Sequence, residues 1–146
     1  MVRLFAEQQA VVGVHYHHEK EEAENLVRKV EESGGSAFSF QADLATESVD
    51  LLIRSFIEKF GGIDVLVNNA GAVFGSKPIL ELDEVSWENT FRLNTQAPFF
   101  LAQSAFRFMK DNGGGKIINI SSISAKYGGS DKTLHYGASK AALEAM

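Results

Sequence analysis

Cysteine is absent from this 146-residue chain, which removes disulfides, thiol nucleophiles and thiolate metal sites from consideration. Proline is scarce, at 2 residues. No apolar run approaches the roughly 18 residues of a membrane span. The N-terminus, MVRLFAEQQA, lacks the apolar stretch and small-residue cleavage site of a secretory signal. No long basic run occurs, and the formal net charge is -5. A nucleic-acid surface needs concentrated Lys and Arg, so no nucleic-acid partner is expected. Internal repeats, low-complexity tracts and linkers are missing too. What is present is globular: 45% hydrophobic, 23% charged, and 13 glycines. The expectation is a soluble, cytoplasmic protein folding as one unit over residues 1–146, with a sizeable core.

Helix and strand patterns alternate along the chain. MVRLFAEQ reads as a helix whose apolar side is Val2, Leu4 and Phe5, with Met1. AVVGVHY, at 10–16, reads as a strand. EKEEAENLVRKVEES is an amphipathic helix with Ala23, Leu26, Val27 and Val30 at helical spacing, ended by Gly34-Gly35. SAFSFQAD alternates like a short strand. Thr46 is an N-cap candidate for ESVDLLIRSFIEKF. IDVLVN, at 63–68, and KIINIS, at 116–121, are apolar strands of the kind covered on both faces. A long helical region spans 84–111, with a break expected near Pro98, and a last helix starts at about 134. Such alternation predicts an α/β fold with a parallel sheet and helices on both faces.

Open sheets of this kind take ligands beyond the carboxyl ends of their strands. Four such ends carry polar or small residues: HYHHEK, Asp43 in QADL, NNAG at 68–71, and SSIS at 121–124. In NNAG, small residues let a ligand approach the backbone, and Asn69 can satisfy neighbouring strands; an ordinary turn reads equally well. Asp43 suits an adenine amino group, or merely a local turn. Ser122 can donate to a carbonyl, but Ser121 and Ser124 compete for that role.

Tyr136 and Lys140 stand at i and i+4, on one helix face. A free tyrosine titrates near pH 10, too high for efficient proton exchange at neutrality. A neighbouring ammonium favours the phenolate. The pair therefore has a mechanism, with tyrosine as proton donor or acceptor and lysine as its electrostatic tuner. Alone, YxxxK also fits a solvated helix face. The ordered occurrence of NNAG, NISS and YGASK after successive strands makes coincidence improbable.

These segments resemble the short-chain dehydrogenase/reductase family: DVLVNNAG at 64–71, RLNTQAPF at 92–99, KIINISSISA at 116–125 and YGASKAAL at 136–143. The resemblance covers essentially the whole chain. It implies a Rossmann-type doubly wound domain and hydride transfer between NAD(P) and a carbonyl or alcohol. Under it Tyr136 matches the catalytic acid/base, and Lys140 the lysine that tunes it and holds the nicotinamide ribose. Ser122 matches the serine that polarises the substrate carbonyl, 14 residues before Tyr136, one more than in many members. Asn94 matches the asparagine supporting a water relay to that lysine. Asp43 and Leu44 match positions near adenine, and Asn69, Ala70 and Gly71 the cofactor floor. His15 and Tyr16 fall at the end of the strand that reads the adenosine ribose. No carboxylate stands there to repel a 2′-phosphate, so NADP(H) is expected over NAD(H). The nearby HYHH run has no partner cluster, and no metal site is expected.

Family members begin with a strand and a glycine-rich TGxxxGIG turn that holds the pyrophosphate. MVRLFAEQ looks like the helix after that turn, so the first strand is expected to be missing, as are the strands after YxxxK. A sheet without its middle strand leaves backbone groups unpaired. The 146 residues alone are therefore expected to be unstable or inactive. Substrates compatible with the resemblance include 3-oxoacyl thioesters and sugars or polyols. Full-length members assemble as dimers or tetramers through the helices at 84–111 and from 134. Two other readings stand beside this one. The chain is a non-catalytic remnant or binding fragment, or it is an extended-type relative acting on nucleotide sugars; NNAG and the short NISS-to-YxxxK spacing disfavour the last.

Overall fold

Helices and strands alternate as the periodicities require in the computed structural model, which describes residues 1–46 and 49–146. The chain groups into two compact units, Met1–Glu47 and Ser48–Met146.

In the first unit, helix α1 (Val2–Glu7), strand β1 (Val11–Tyr16), helix α2 (Lys20–Glu32) and strand β2 (Ser36–Gln41) follow one another. The strands pair in parallel, with Val11 opposite Ser36 and Tyr16 opposite Gln41. Valines at 11, 12 and 14 suit a pleated backbone, while the Glu-, Lys- and Ala-rich α2 suits a helix. The core is Ala6, Val14, Ala23, Val30 and Ala37, with Val2, Val12, Tyr16, Leu26 and Val27 packed against it. A side chain the size of Val30, only 1% exposed, contributes on the order of 1.5–3 kcal/mol by its burial. Leu4 does not join: it is 65% exposed, and Ala6 takes the inward position of α1 instead. Helix α2 ends where Gly34 turns to φ +81°. The Gly35 N–H then reaches back to the Val30 carbonyl at 3.0 Å.

The second unit runs α3 (Val49–Phe60), β3 (Val65–Asn68), α4 (Glu84–Phe91), a π-helical turn (Arg92–Gln96), α5 (Ala97–Met109), β4 (Lys116–Asn119), α6 (Ser124–Tyr127) and α7 (Leu134–Glu144). Strands β3 and β4 are parallel, Val65 opposite Lys116 and Asn68 opposite Asn119. Helices α3 and α5 are joined by Asp50, which accepts the Ser104 hydroxyl at 2.6 Å and the Arg54 guanidinium at 2.6 Å. The start expected for α3 at residues 47 and 48 lies outside the described residues. Thr46, proposed as its cap, donates its hydroxyl to Asp43 at 2.6 Å.

The long helical region is interrupted near Pro98, as expected, in the turn just before it. Proline has no N–H to offer the carbonyl four residues earlier, which is that of Asn94, and its ring crowds that turn. The backbone widens instead, and the Ala97 N–H bonds to Arg92 in the i→i+5 manner. One expectation changes: the apolar strands are not covered on both faces. Val65, Ile117 and Ile118 are each more than a third exposed, because β3 and β4 pair only with each other among the described residues. The segment after β4 contains the short α6. No helix among the described residues is long and apolar enough to cross a membrane.

Candidate functional site

Lys140 lies in α7, 3% exposed. Its Nζ donates to the Ile120 carbonyl at 2.8 Å, just beyond β4. Burial pushes the Lys140 ammonium below the ordinary lysine range. Among the described residues no carboxylate stands within ion-pair distance of it. A structural lysine this buried ordinarily pairs with an acid. Its Nζ is 6.0 Å from the centre of the Tyr136 ring, one helical turn earlier. Tyr136 is half-buried.

Gly71, at the end of NNAG, abuts this lysine. A Cβ there would stand 3.1 Å from the Lys140 Nζ and 3.0 Å from the Asn94 Oδ1. The glycine thus keeps three predicted residues, Gly71, Asn94 and Lys140, in one place. Asn94 is 0% exposed, in the π-helical turn. Its Oδ1 accepts the Ala72 N–H at 3.0 Å. Its Nδ2 donates to the Ala72 carbonyl at 2.8 Å and to the Ser139 hydroxyl at 3.0 Å. The side chain is therefore a clamp on the loop after β3, with no polar hydrogen to spare for a water. Any relay role rests on its backbone carbonyl, which Pro98 deprives of the usual α-helical donor. Asn94→Leu, close in volume, would leave the Ala72 N–H and carbonyl without partners. It is expected to lower stability by at least about 2 kcal/mol in urea unfolding of the intact protein; a loss below about 0.5 kcal/mol would remove the clamp from the account.

The asparagine that ties the strands is Asn68, not Asn69. Asn68 Nδ2 donates to Asn119 Oδ1 at 2.9 Å and to the Pro98 carbonyl at 3.3 Å. Asn69 is exposed and Ala70 half-buried.

Among the serines, geometry separates the competitors. Ser121 donates its hydroxyl to Glu144 at 2.7 Å. Ser124 donates its backbone N–H to the Ser122 Oγ at 3.2 Å. Among the described residues Ser122 thus serves only as an acceptor and keeps its hydroxyl hydrogen for another group. Its turn lies against α7: a Cβ on Gly137 would stand 2.9 Å from the Ser124 carbonyl and 2.8 Å from the Gly129 nitrogen. The glycine of YGASK therefore lets the serine segment approach the turn that bears Tyr136. Sequence reasoning saw this glycine only as part of a motif.

In the first unit, Asp43 holds a local turn. Its Oδ1 accepts the Ala45 N–H at 2.9 Å, and its Oδ2 faces His17 Nε2 at 3.6 Å. The Thr46 hydroxyl above all, then the Ala45 N–H and the imidazoles of His17 and His18, hold its carboxyl below the usual range. His15 Nε2 donates to the Ala42 carbonyl at 2.8 Å. Tyr16 packs against the core, and Leu44 is buried. These four residues stand at the ends of β1 and β2, as expected, with local bonds that the sequence did not reveal. No motif in the sequence marks His135 and Thr90. Their signal is burial: 1% and 0% exposed, each with a hydrogen bond to Phe74.

The short-chain dehydrogenase family model matches residues 1–146. The hydroxynaphthalene reductase-like protein Arp2 of Metarhizium brunneum is 34% identical over 141 residues, 95% of this chain and 51% of that protein. Versicolorin reductase stcU of Emericella nidulans is 36% identical over 137 residues, 92% of this chain and 50% of that protein. The chain spans about half the length of the curated relatives it matches. A metagenomic short-chain oxidoreductase solved in complex with NADP superposes at TM-score 0.91, with 28% identity, over 99% of this chain and 65% of its own. Acetoin dehydrogenase from Enterobacter cloacae superposes at 0.90, with 33% identity, over 99% of this chain and 57% of its own. The NADH-dependent reductase A1-R′ complexed with NAD also superposes at 0.90, with 31% identity, over 99% of this chain and 62% of its own. The fold is Rossmann-type α/β, and the chain belongs to the short-chain dehydrogenase family.

Proposed function

We propose that this member of the short-chain dehydrogenase family serves, as part of a full-length protein, in reversible reduction of a carbonyl to an alcohol with a nicotinamide cofactor. The observation that carries the reading is Lys140: a buried ammonium with no carboxylate at ion-pair distance among the described residues, beside the Tyr136 ring and the Gly71 backbone. The cradle suits the cofactor. Lys140 commits one hydrogen to Ile120 and keeps two for a ribose. Asn69, Ala70 and Gly71 would line the floor beside it.

When bound, the cofactor supplies the hydride to the carbonyl carbon, or removes it in the reverse direction. The Tyr136 phenol gives its proton to the carbonyl oxygen and is left as phenolate. The Lys140 ammonium stabilises that charge. The Ser122 hydroxyl donates to the same oxygen as negative charge develops on it. Asn94 holds the loop that carries Gly71, and its backbone carbonyl would take the relay water. In the oxidative direction the phenolate accepts the alcohol proton.

The substrate is a small carbonyl or alcohol. Fused-ring carbonyls of the hydroxynaphthalene kind, after the name of one relative, and 3-oxoacyl thioesters are the classes to assay first. Exposed Trp87, Phe99, Phe100 and Phe106, on α4 and α5, support assembly of the full-length protein as a dimer or tetramer. The absence of any carboxylate among His15, Tyr16, His17 and His18 supports NADP(H) over NAD(H). Fluorescence titration of the full-length protein should give NADPH an affinity at least about tenfold tighter than NADH. Equal affinities, or a preference for NADH, overturn the cofactor preference. Binding of neither overturns the function itself and leaves a fragment without nucleotide chemistry.

A further inference from the structure

Beyond Gly71 the loop runs irregularly toward α4. The backbone groups of Ala72 and Phe74 nevertheless find partners on side chains. Asn94 holds both the N–H and the carbonyl of Ala72. The Thr90 hydroxyl, itself donating to the Ser86 carbonyl at 2.8 Å, accepts the Phe74 N–H at 3.1 Å. His135 Nε2 lies 2.7 Å from the Phe74 carbonyl. A carbonyl can only accept, so this contact requires a hydrogen on Nε2.

His135 differs from the other two clamps in its place. It precedes Tyr136 directly and belongs to the first turn of α7. That turn has no side-chain cap. Thr133, the N-cap residue, makes no capping bond with its side chain. Its hydroxyl is engaged by Ser130 instead. The first turn, in which Tyr136 sits, therefore depends on its packing and on longer-range bonds. His135 is 1% exposed, and its bond crosses 61 residues of sequence.

We propose that His135 is a positioning residue: it locks the first turn of α7 to the Phe74 carbonyl and thereby fixes the Tyr136 phenol relative to the loop that carries Gly71. This rests on the carbonyl-reducing role given above to Tyr136. Small displacements of a reacting group have large kinetic effects, about 100-fold for about 1 Å.

The test uses the full-length protein and two variants. His135→Phe fills the space without a donor; His135→Gln restores a donor of similar reach. With the Phe variant, kcat is expected to fall about 10- to 100-fold while the cofactor KM stays nearly constant. Hydrogen exchange at amides 72–75 should quicken, with α5 unchanged. The Gln variant should recover most of both. Unchanged kcat and unchanged loop exchange in the Phe variant overturn the proposal, as does a Gln variant no better than Phe. Nitrogen-15 NMR of the unsubstituted protein gives an independent check, even where the Phe variant fails to fold. A slowly exchanging Nε2–H on His135 is expected; an Nδ1–H tautomer overturns the clamp. If the unsubstituted protein turns over no carbonyl, the functional reading falls, while exchange and NMR still decide whether His135 couples α7 to the loop.

Discussion

Replacing Tyr136 with phenylalanine is expected to lower kcat/KM for carbonyl reduction by about 10²- to 10⁴-fold, the range of a lost general acid. The substitution removes one oxygen and leaves the ring beside Lys140. The Tyr136 side chain makes no hydrogen bond among the described residues, so the fold should not notice the change. Cofactor affinity and unfolding midpoint should therefore match those of the parent. This combination separates a catalytic phenol from a structural one. A variant retaining more than about a tenth of parental kcat/KM would show that the proton comes from elsewhere.

Lys140→Met should split stability from activity in the opposite sense. Burial holds this ammonium below its ordinary value of 10.5. The folded chain thus loses the proton at lower pH than the unfolded chain does. Between the two values the unfolded chain binds more protons, so stability rises with pH there. Below that window both states are charged and the full desolvation penalty remains. Methionine, of similar length, removes the penalty, and the one bond lost is to the half-buried Ile120 carbonyl. At neutral pH the variant is expected to melt at the parental temperature or a few degrees above it. Its alkaline rise in stability should vanish. Turnover should nevertheless fall about 10²-fold or more, because the phenolate loses its neighbouring charge. A variant that melts well below the parent would mean that the lysine is retained for the fold.

Much of this was legible in the chain, and the limits follow from where the information lies. Tyr136 and Lys140 are one helical turn apart, so local periodicity alone sets them on one face. NNAG and NISS end apolar strands, and alternation fixes those. The clamp made by Asn94 is another matter. Its bonds to Ala72 and Ser139 cross 22 and 45 residues, which no local pattern encodes. A break near Pro98 is legible, because proline lacks the N–H that a helix needs, but the widening of the backbone into a π-helical turn is not. Leu4 looked inward because it is apolar; the small Ala6 faces the core instead. Ile117 and Ile118 are apolar enough for a fully covered strand. Their exposure here reflects a pairing partner on one edge only, a tertiary fact.

The most direct test of the account is isotopic. The full-length protein is incubated with NADPH carrying deuterium at nicotinamide C4 and with a panel of fused-ring ketones and 3-oxoacyl thioesters. Mass spectrometry then locates the label in any alcohol formed. The account predicts one deuterium on the carbinol carbon, in a reaction that the Tyr136→Phe variant does not support. Alcohol formed without label on that carbon, or formed equally by the variant, would contradict it.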